Sequence, residues 1–355
     1  MLKQAKTFKH TRFDCGTRGD DSLRGFYLNV HNTVRLRLAR GNSLNFHGEP
    51  FSSSKNMYKL RWSCLLEEIA QIALSSCDAD INGYRSYGIN LATFSVSDSR
   101  ATSSQIDWKE TIRAALISWF SEAKKSRWNS PENRFTTANI SFFANMVHSK
   151  TTEVGCAHQL CTGKIQIACI YNRLGTFMNT TIWRTGNPCQ EDADCTLFPN
   201  STCGGIGKEK GLCLTKQEDP DDGKSSICKG KTASPNMTDS VRQKFLKLHN
   251  HYRSLVARGK AYDKILGRNV PTASKMQKLK YTCRLEETAW KNNAGENLYR
   301  NSIPGFDKIR VASMATEDWF EESEDFGIGG APVFSAKIAA NAGHYTQARN
   351  NLNYT

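Results

Sequence analysis

The sequence predicts an α/β fold built twice, two mixed helix-and-strand copies joined by a small cysteine-rich hinge. Three observations lead there. A set of short blocks recurs in the same order at offsets between 200 and 219 residues. Within the copies, some stretches space their apolar residues as helices do and others alternate as strands do. Between the copies, Cys189, Cys195, Cys203 and Cys213 crowd into a segment rich in Gly and acids and poor in large apolar residues, the composition of a small disulfide-stapled module.

The recurrence organises the chain. Val30-His31-Asn32-Thr33-Val34-Arg35, followed by Ala39-Arg40-Gly41, returns as Leu248-His249-Asn250-His251-Tyr252-Arg253, followed by Ala257-Arg258-Gly259. Cys64-Leu65-Leu66-Glu67-Glu68 returns as Cys283-Arg284-Leu285-Glu286-Glu287, Gly88-Ile89-Asn90-Leu91 as Gly295-Glu296-Asn297-Leu298, and Trp119-Phe120-Ser121-Glu122 as Trp319-Phe320-Glu321-Glu322. The offset shrinks along the chain, so the second copy is shorter inside: Cys64 to Gly88 spans 24 positions and Cys283 to Gly295 only 12.

Taken in order, residues 1–14 form a basic extension carrying Lys3, Lys6, Lys9 and Arg12, without the apolar core of a signal peptide. The first copy fills 15–185. It opens with a helix, continues with helices over 65–77 and 108–125, and places an alternating strand at 164–171. The hinge occupies 186–228. The second copy, 229–355, starts its helix after Asn236-Met237-Thr238-Asp239, with Phe245, Leu248, Tyr252, Leu255 and Val256 at helical spacing. One turn apart, His249 and Arg253 share a face of that helix.

Composition narrows the class. With 39% hydrophobic and 23% charged residues the chain can bury a core, and its 355 residues suit two domains. No stretch approaches the roughly 18 apolar residues of a membrane-spanning helix. The net charge of +14 divides into +10 before the hinge (24 basic against 14 acidic), −4 within residues 189–228 (4 against 8) and +8 after it (20 against 12). Such basic copies suit polyanionic partners, although no aromatic-basic module of a nucleic-acid binder is present. Twelve cysteines imply disulfides and hence an oxidising, extracellular setting. Glycosylation patterns at Asn139, Asn179, Asn200, Asn236 and Asn353 accord with secretion.

The ordered blocks resemble the CAP superfamily (SCP/TAPS), and most closely its two-domain nematode members, the activation-associated or venom-allergen-like secreted proteins. The carrying motifs are His-Asn-x-x-Arg, Cys-x-Leu-Glu, Gly-Glu-Asn-Leu, Trp-x-x-Glu, Gly343-His344-Tyr345-Thr346-Gln347, and Cys169-Ile170-Tyr171 with Gly175. The resemblance implies an α-β-α sandwich in each copy. It also implies a cavity tetrad in the second copy of His249, Glu296, Glu322 and His344. Two imidazoles and two carboxylates suit a borderline divalent ion such as zinc, held chiefly by His249 and His344. The alternative for these four is a hydrogen-bonded polar cluster that supports the cavity.

The first copy retains only His31 and Glu122, because Ile89 and Phe142 stand where Glu296 and His344 stand. Metal binding there is not expected, and His31 reads as a satisfied core histidine. The second copy has the reverse defect. After Gln347 the strands expected from the resemblance do not follow, so a C-terminally truncated second domain is the expectation. Position pairs Cys15 with Cys64 and Cys228 with Cys283. The resemblance suggests Cys77 with Cys161 and Cys156 with Cys169, leaving the four hinge cysteines in one of three connectivities.

The function implied by the resemblance is that of a secreted, non-enzymatic protein acting on a host extracellular or immune-cell protein. A second class is capture of sterols or other lipids, or zinc-dependent binding of an anionic glycosaminoglycan. A third is a hydrolase with a His/Glu general base, for which no nucleophile-elbow serine motif is present.

Overall fold

Asp20 starts the first helix by accepting the amide of Ser22 on its side chain, and Gly41, at φ 67°, sits just past the end. Between them runs α1, Asp21–Ala39. The computed structural model describes residues 13, 15, 19–45, 47–79, 87–98, 102–205, 210–216, 221, 223–228, 237–273, 275–290, 297, 299, 307–329 and 342–345. It divides into two compact units, Met1–Thr215 and Lys216–Thr355.

In the first unit β1 (Ser54–Lys55) and β2 (Arg61–Trp62) lead into α2 (Cys64–Leu74), which Ser63 caps by accepting from Leu66. There follow β3 (Gly88–Ser95), α3 (Trp108–Phe120), α4 (Glu122–Lys125), α5 (Ser141–Val147), β4 (Glu153–Cys161), β5 (Lys164–Tyr171) and β6 (Arg184–Thr185). The single helix expected over 108–125 is thus two, because the chain breaks at Ser121, whose hydroxyl turns back to the carbonyl of Ser118.

The main sheet has the order β2-β4-β5-β3, antiparallel except for β2 beside β4. Alternation sorts its two faces. Tyr171 and His158 turn to α1, where they meet His31 and Tyr27. Gly155 turns the other way, where the start of α2 lies so close that an added Cβ would stand 2.1 Å from the Glu67 amide nitrogen. Helices therefore cover both faces, and Tyr27, Leu38, Leu116, Trp119, Phe143, Ile167 and Trp183 fill the core between them.

The cysteine-rich segment is where the structure departs from the expected layout. Residues 186–228 were expected as one hinge, but β7 (Thr202–Gly204) and β8 (Leu212–Leu214) belong to the first unit. Cys213 exchanges backbone hydrogen bonds with Met57 and Lys59, and the Tyr58 and Phe198 rings pack edge-on at 4.7 Å. Cys228, by contrast, lies in the second unit. The physical reason is apolar burial: Tyr58 has no exposed surface, and Phe198, Cys189, Cys195 and Cys213 cover it.

All twelve cysteines are bonded: Cys15–Cys64, Cys77–Cys161, Cys156–Cys169, Cys189–Cys203, Cys195–Cys213 and Cys228–Cys283. Cys156 and Cys169 are direct partners across β4 and β5.

The second unit contains α6 (Asp239–Ala257), the short pair β9 (Tyr262–Asp263) and β10 (Arg268–Asn269), α7 (Cys283–Trp290) and α8 (Lys308–Asp325). Its core joins Leu248, Tyr252 and Val256 of α6 to Phe320 of α8 and to Tyr345. Bonds seen in the first unit recur here. Arg24 bonds Glu67 at 2.8 Å and Arg242 bonds Glu286 at 2.8 Å. Asn32 pairs both ways with the backbone of Leu60, as Asn250 does with Leu279. Among the described residues the second unit has no counterpart of β3, β4 and β5.

Candidate functional site

The site of the second unit is built from α6, α8 and the helical turn at 342–345. His249 on α6 donates from Nδ1 to the Phe245 carbonyl one turn back, at 2.8 Å. That bond fixes the neutral tautomer and leaves Nε2 as the free lone pair. Burial, ahead of the opposing hydrogen bond to Phe245 and the charge of Arg253, holds its pKa below the ordinary histidine value. Glu322 on α8 divides its carboxylate. Oε1 lies 2.5 Å from His344 Nδ1, and Oε2 accepts the Tyr345 amide at 3.0 Å. Asn297 donates to the His344 carbonyl at 3.0 Å, so the turn is held from two sides.

Trp319, one turn before Glu322, stands near both imidazoles. Its ring centroid is 6.1 Å from that of His249 and 6.1 Å from that of His344. Beside it opens a shallow cleft lined by His249, Tyr252, Arg253, Trp319, Phe320 and Tyr345, among others. Glu322 and His344 do not line this cleft.

This geometry bears on the metal. Among the described residues no three His, Asp or Glu ligand atoms lie within 4.8 Å of one another. His344 and Glu322 are spent on each other, and Glu296 lies outside the described residues. Among the described residues, the three placed members of the tetrad therefore do not bring three donors together on one point. The sulfurs of Cys189, Cys195 and Cys213 do cluster, but all are in disulfides and offer no thiolate. Among the described residues no hydroxyl or thiol hydrogen-bonds the His344 ring.

In the first unit the same positions are closed. His31 has no exposed surface and both ring nitrogens are used, Nδ1 donating to the Tyr27 carbonyl at 2.8 Å and Nε2 accepting the Tyr171 hydroxyl at 2.9 Å. Burial lowers its pKa to about 4, with the Tyr27 bond opposing and Arg35 assisting. Asn90 donates to Tyr171 and to the Phe142 carbonyl, and Asn145 donates to Asn90. Phe142, in the place of His344, packs edge-on against Trp119 at 6.1 Å. Glu122 accepts the Phe143 amide at 2.9 Å, as Glu322 accepts that of Tyr345. Burial raises the Glu122 pKa against the pull of the Phe143 and Phe142 amides.

The glutamate of Trp-x-x-Glu thus has a structural task in both units: it anchors the first amides of the following helical turn. Sequence reading passed over this role, and over Tyr171, Asn90 and Asn145. It also passed over Arg35, buried and donating to the carbonyls of Tyr58, Met146, His148, Ser149 and Thr151. The available signal was spacing, since His31 and Arg35 lie one helical turn apart.

Comparison with known proteins places the chain. The family model described as the cysteine-rich secretory protein family, CAP, matches residues 28–171. Ancylostoma secreted protein of Ancylostoma caninum is 35% identical over 94% of this chain and 80% of its own length. The chain belongs to the CAP family. Among CAP relatives, hookworm platelet inhibitor 1 of Ancylostoma caninum is 28% identical over 49% of this chain and 75% of its own length. The crystal structure of Na-ASP-1, 34% identical, superposes with a TM-score of 0.67 over 95% of this chain and 85% of its own. BmVAL-1, 27% identical, superposes at 0.51 over 58% of this chain and 100% of its own. The CAP sandwich of the first unit accords with both likenesses, and no helix of the described residues is long and apolar enough to cross a membrane.

Proposed function

We propose that this CAP protein is a secreted, non-enzymatic binding protein that acts on a host extracellular or immune-cell protein through its surface. The observation that supports this most is the closed interior of the first unit. His31 has spent both nitrogens on Tyr27 and Tyr171, and Phe142 and Ile89 replace the other polar positions. A scaffold that seals its family cavity while keeping six disulfides and a basic surface is suited to recognition rather than turnover. Twelve paired cysteines favour the extracellular space. The resemblance to a platelet inhibitor suggests host blood cells as a starting panel.

The test uses the labelled full chain on platelets and leukocytes. Saturable binding is expected, unchanged within about twofold in a His249→Ala/His344→Ala variant and in EDTA, since twofold is only about 0.4 kcal/mol. Absence of saturable binding, or ester or peptide hydrolysis that disappears in His344→Ala, would overturn the reading. Binding confined to heparin, and abolished both by EDTA and by the histidine variant, would instead favour a zinc-dependent glycan binder.

A further inference from the structure

Two groups of asparagines in the first unit differ in their surroundings. Six in the first unit are buried, namely Asn32, Asn56, Asn90, Asn133, Asn145 and Asn172, and the side-chain amide of each is used in hydrogen bonds. None is followed by the x-Ser/Thr that an oligosaccharide transferase requires. Asn139, Asn179 and Asn200 are followed by it, as Asn139-Ile140-Ser141, Asn179-Thr180-Thr181 and Asn200-Ser201-Thr202. All three are exposed, and their side-chain amides make no hydrogen bond among the described residues.

Their backbone settings aim them outward. Asn179 and Asn200 occupy turn positions at φ 64° and 58°, in the left-handed region that asparagine tolerates. Asn139 lies in the short helical turn Ala138–Ile140, whose buried member is Ile140. Chance would distribute the tripeptide without regard to burial. Here it falls on amides with space around them and avoids every buried one in that unit.

We propose that Asn139, Asn179 and Asn200 each carry an N-linked glycan. In the step, Nδ2 bonds to the anomeric carbon of the first sugar of a polyprenyl-diphosphate-linked oligosaccharide. The sugar–phosphate bond breaks, the diphosphate leaves with the electron pair, and Nδ2 loses one proton. Transfer precedes folding, so what the folded protein must supply is room for the product, and these three positions have it.

Asn179 stands in a turn paired with Phe135. Phe135 and the turn before Thr181 are paired through Asn179 N to Phe135 O at 2.8 Å and Phe135 N to Thr180 O at 2.9 Å. Beside Asn179 stand Phe177 and Met178, 59% and 51% exposed. A glycan there covers an apolar turn that would otherwise meet water or another molecule. The partner surface of the first unit then lies away from this turn, while Asn200 places the third glycan on the cysteine-rich module.

The inference rests on the proposal that the protein is secreted, and the experiment supplies secretion so that the two stand or fall separately. The full chain is expressed in mammalian cells behind an added leader and purified from the medium. Release with peptide N-glycosidase in ¹⁸O water, followed by peptide mapping, is expected to convert Asn139, Asn179 and Asn200 to labelled aspartate in most molecules. Asn139→Gln, Asn179→Asp and Asn200→Asp should each remove one glycan from the intact mass. Aspartate is chosen at the two turns because it keeps the left-handed backbone affordable. Secreted protein in which any of the three asparagines is unmodified would overturn the proposal for that set.

Discussion

The Nε2 of His31 and the hydroxyl of Tyr171 lie 2.9 Å apart inside the first unit, tying α1 to the last residue of β5. Tyr171 donates to the imidazole and accepts from Asn90, so one hydroxyl completes two buried groups. In Tyr171→Phe both lose their partner while the ring volume is kept. The first unit should lose about 1–3 kcal/mol, the usual cost of stranding buried polar groups. Denaturant unfolding of the full chain, followed on the first-unit transition, measures it, and a loss indistinguishable from zero would count against the network.

The same histidine makes the first unit sensitive to acid. Its folded pKa of about 4 lies below the ordinary value of 6.5, so the unfolded chain takes up a proton that the folded one refuses. The stability from neutral His31 is complete above pH 6.5 and is lost as pH falls towards 4, by about 3 kcal/mol at the lower end. Melting in steps from pH 7 to pH 4 should show a falling first-unit Tm. His31→Gln should start lower and flatten the slope over that window, and an unchanged slope would assign the acid sensitivity to other groups.

How much of this was legible in the sequence differs from residue to residue. The first helix of each copy, and the strand at Lys164–Tyr171, follow from local spacing, because helices and strands impose their periods within a few residues. The pairing of His31 with Tyr171 joins positions 140 residues apart, which no local period reports. Glu122 read as the remnant of a ligand set because its motif is shared with such sets. Its bond to the Phe143 amide depends on where α5 is laid against α4, a tertiary fact. The cysteine-rich segment read as a hinge because its composition is hinge-like, whereas its attachment depends on residues outside the segment, Asn56, Tyr58 and the backbone of Met57 and Lys59.

Gly155 gives the sharpest steric prediction. A Cβ there would lie 2.1 Å from the Glu67 nitrogen and 2.4 Å from the Leu66 carbonyl carbon, both backbone atoms at the start of α2. No rotamer change relieves such contacts, so α2 must move off the sheet. Moving it also disturbs Glu67, which accepts from Arg24, Trp62 and Gln71. Gly155→Ala should cost more than about 4 kcal/mol, or prevent secretion altogether. Gly163→Ala is the control for handling: although its φ of 72° makes alanine somewhat strained, nothing lies within 4 Å of an added Cβ. Equal secretion and Tm in the two variants would show that α2 can give way.

His344 Nδ1 is held by Glu322 Oε1, and the other oxygen of Glu322 is held by the Tyr345 amide. A metal held by the histidines must recruit Nε2 of His344 and Nε2 of His249, whose rings each stand 6.1 Å from that of Trp319. Two imidazoles without a free carboxylate from Glu322 to join them bind weakly. With a Kd of about 0.1 mM or weaker, about 0.1 mM zinc stabilises the second unit by no more than about 0.4 kcal/mol. Calorimetry of the full chain should show second-unit melting moved by less than about 2 °C between zinc and EDTA, the shift that energy permits. A rise of several degrees that vanishes in both His249→Ala and His344→Ala would mean that α6 and the 342–345 turn close around the ion, bringing together donors that stand apart here.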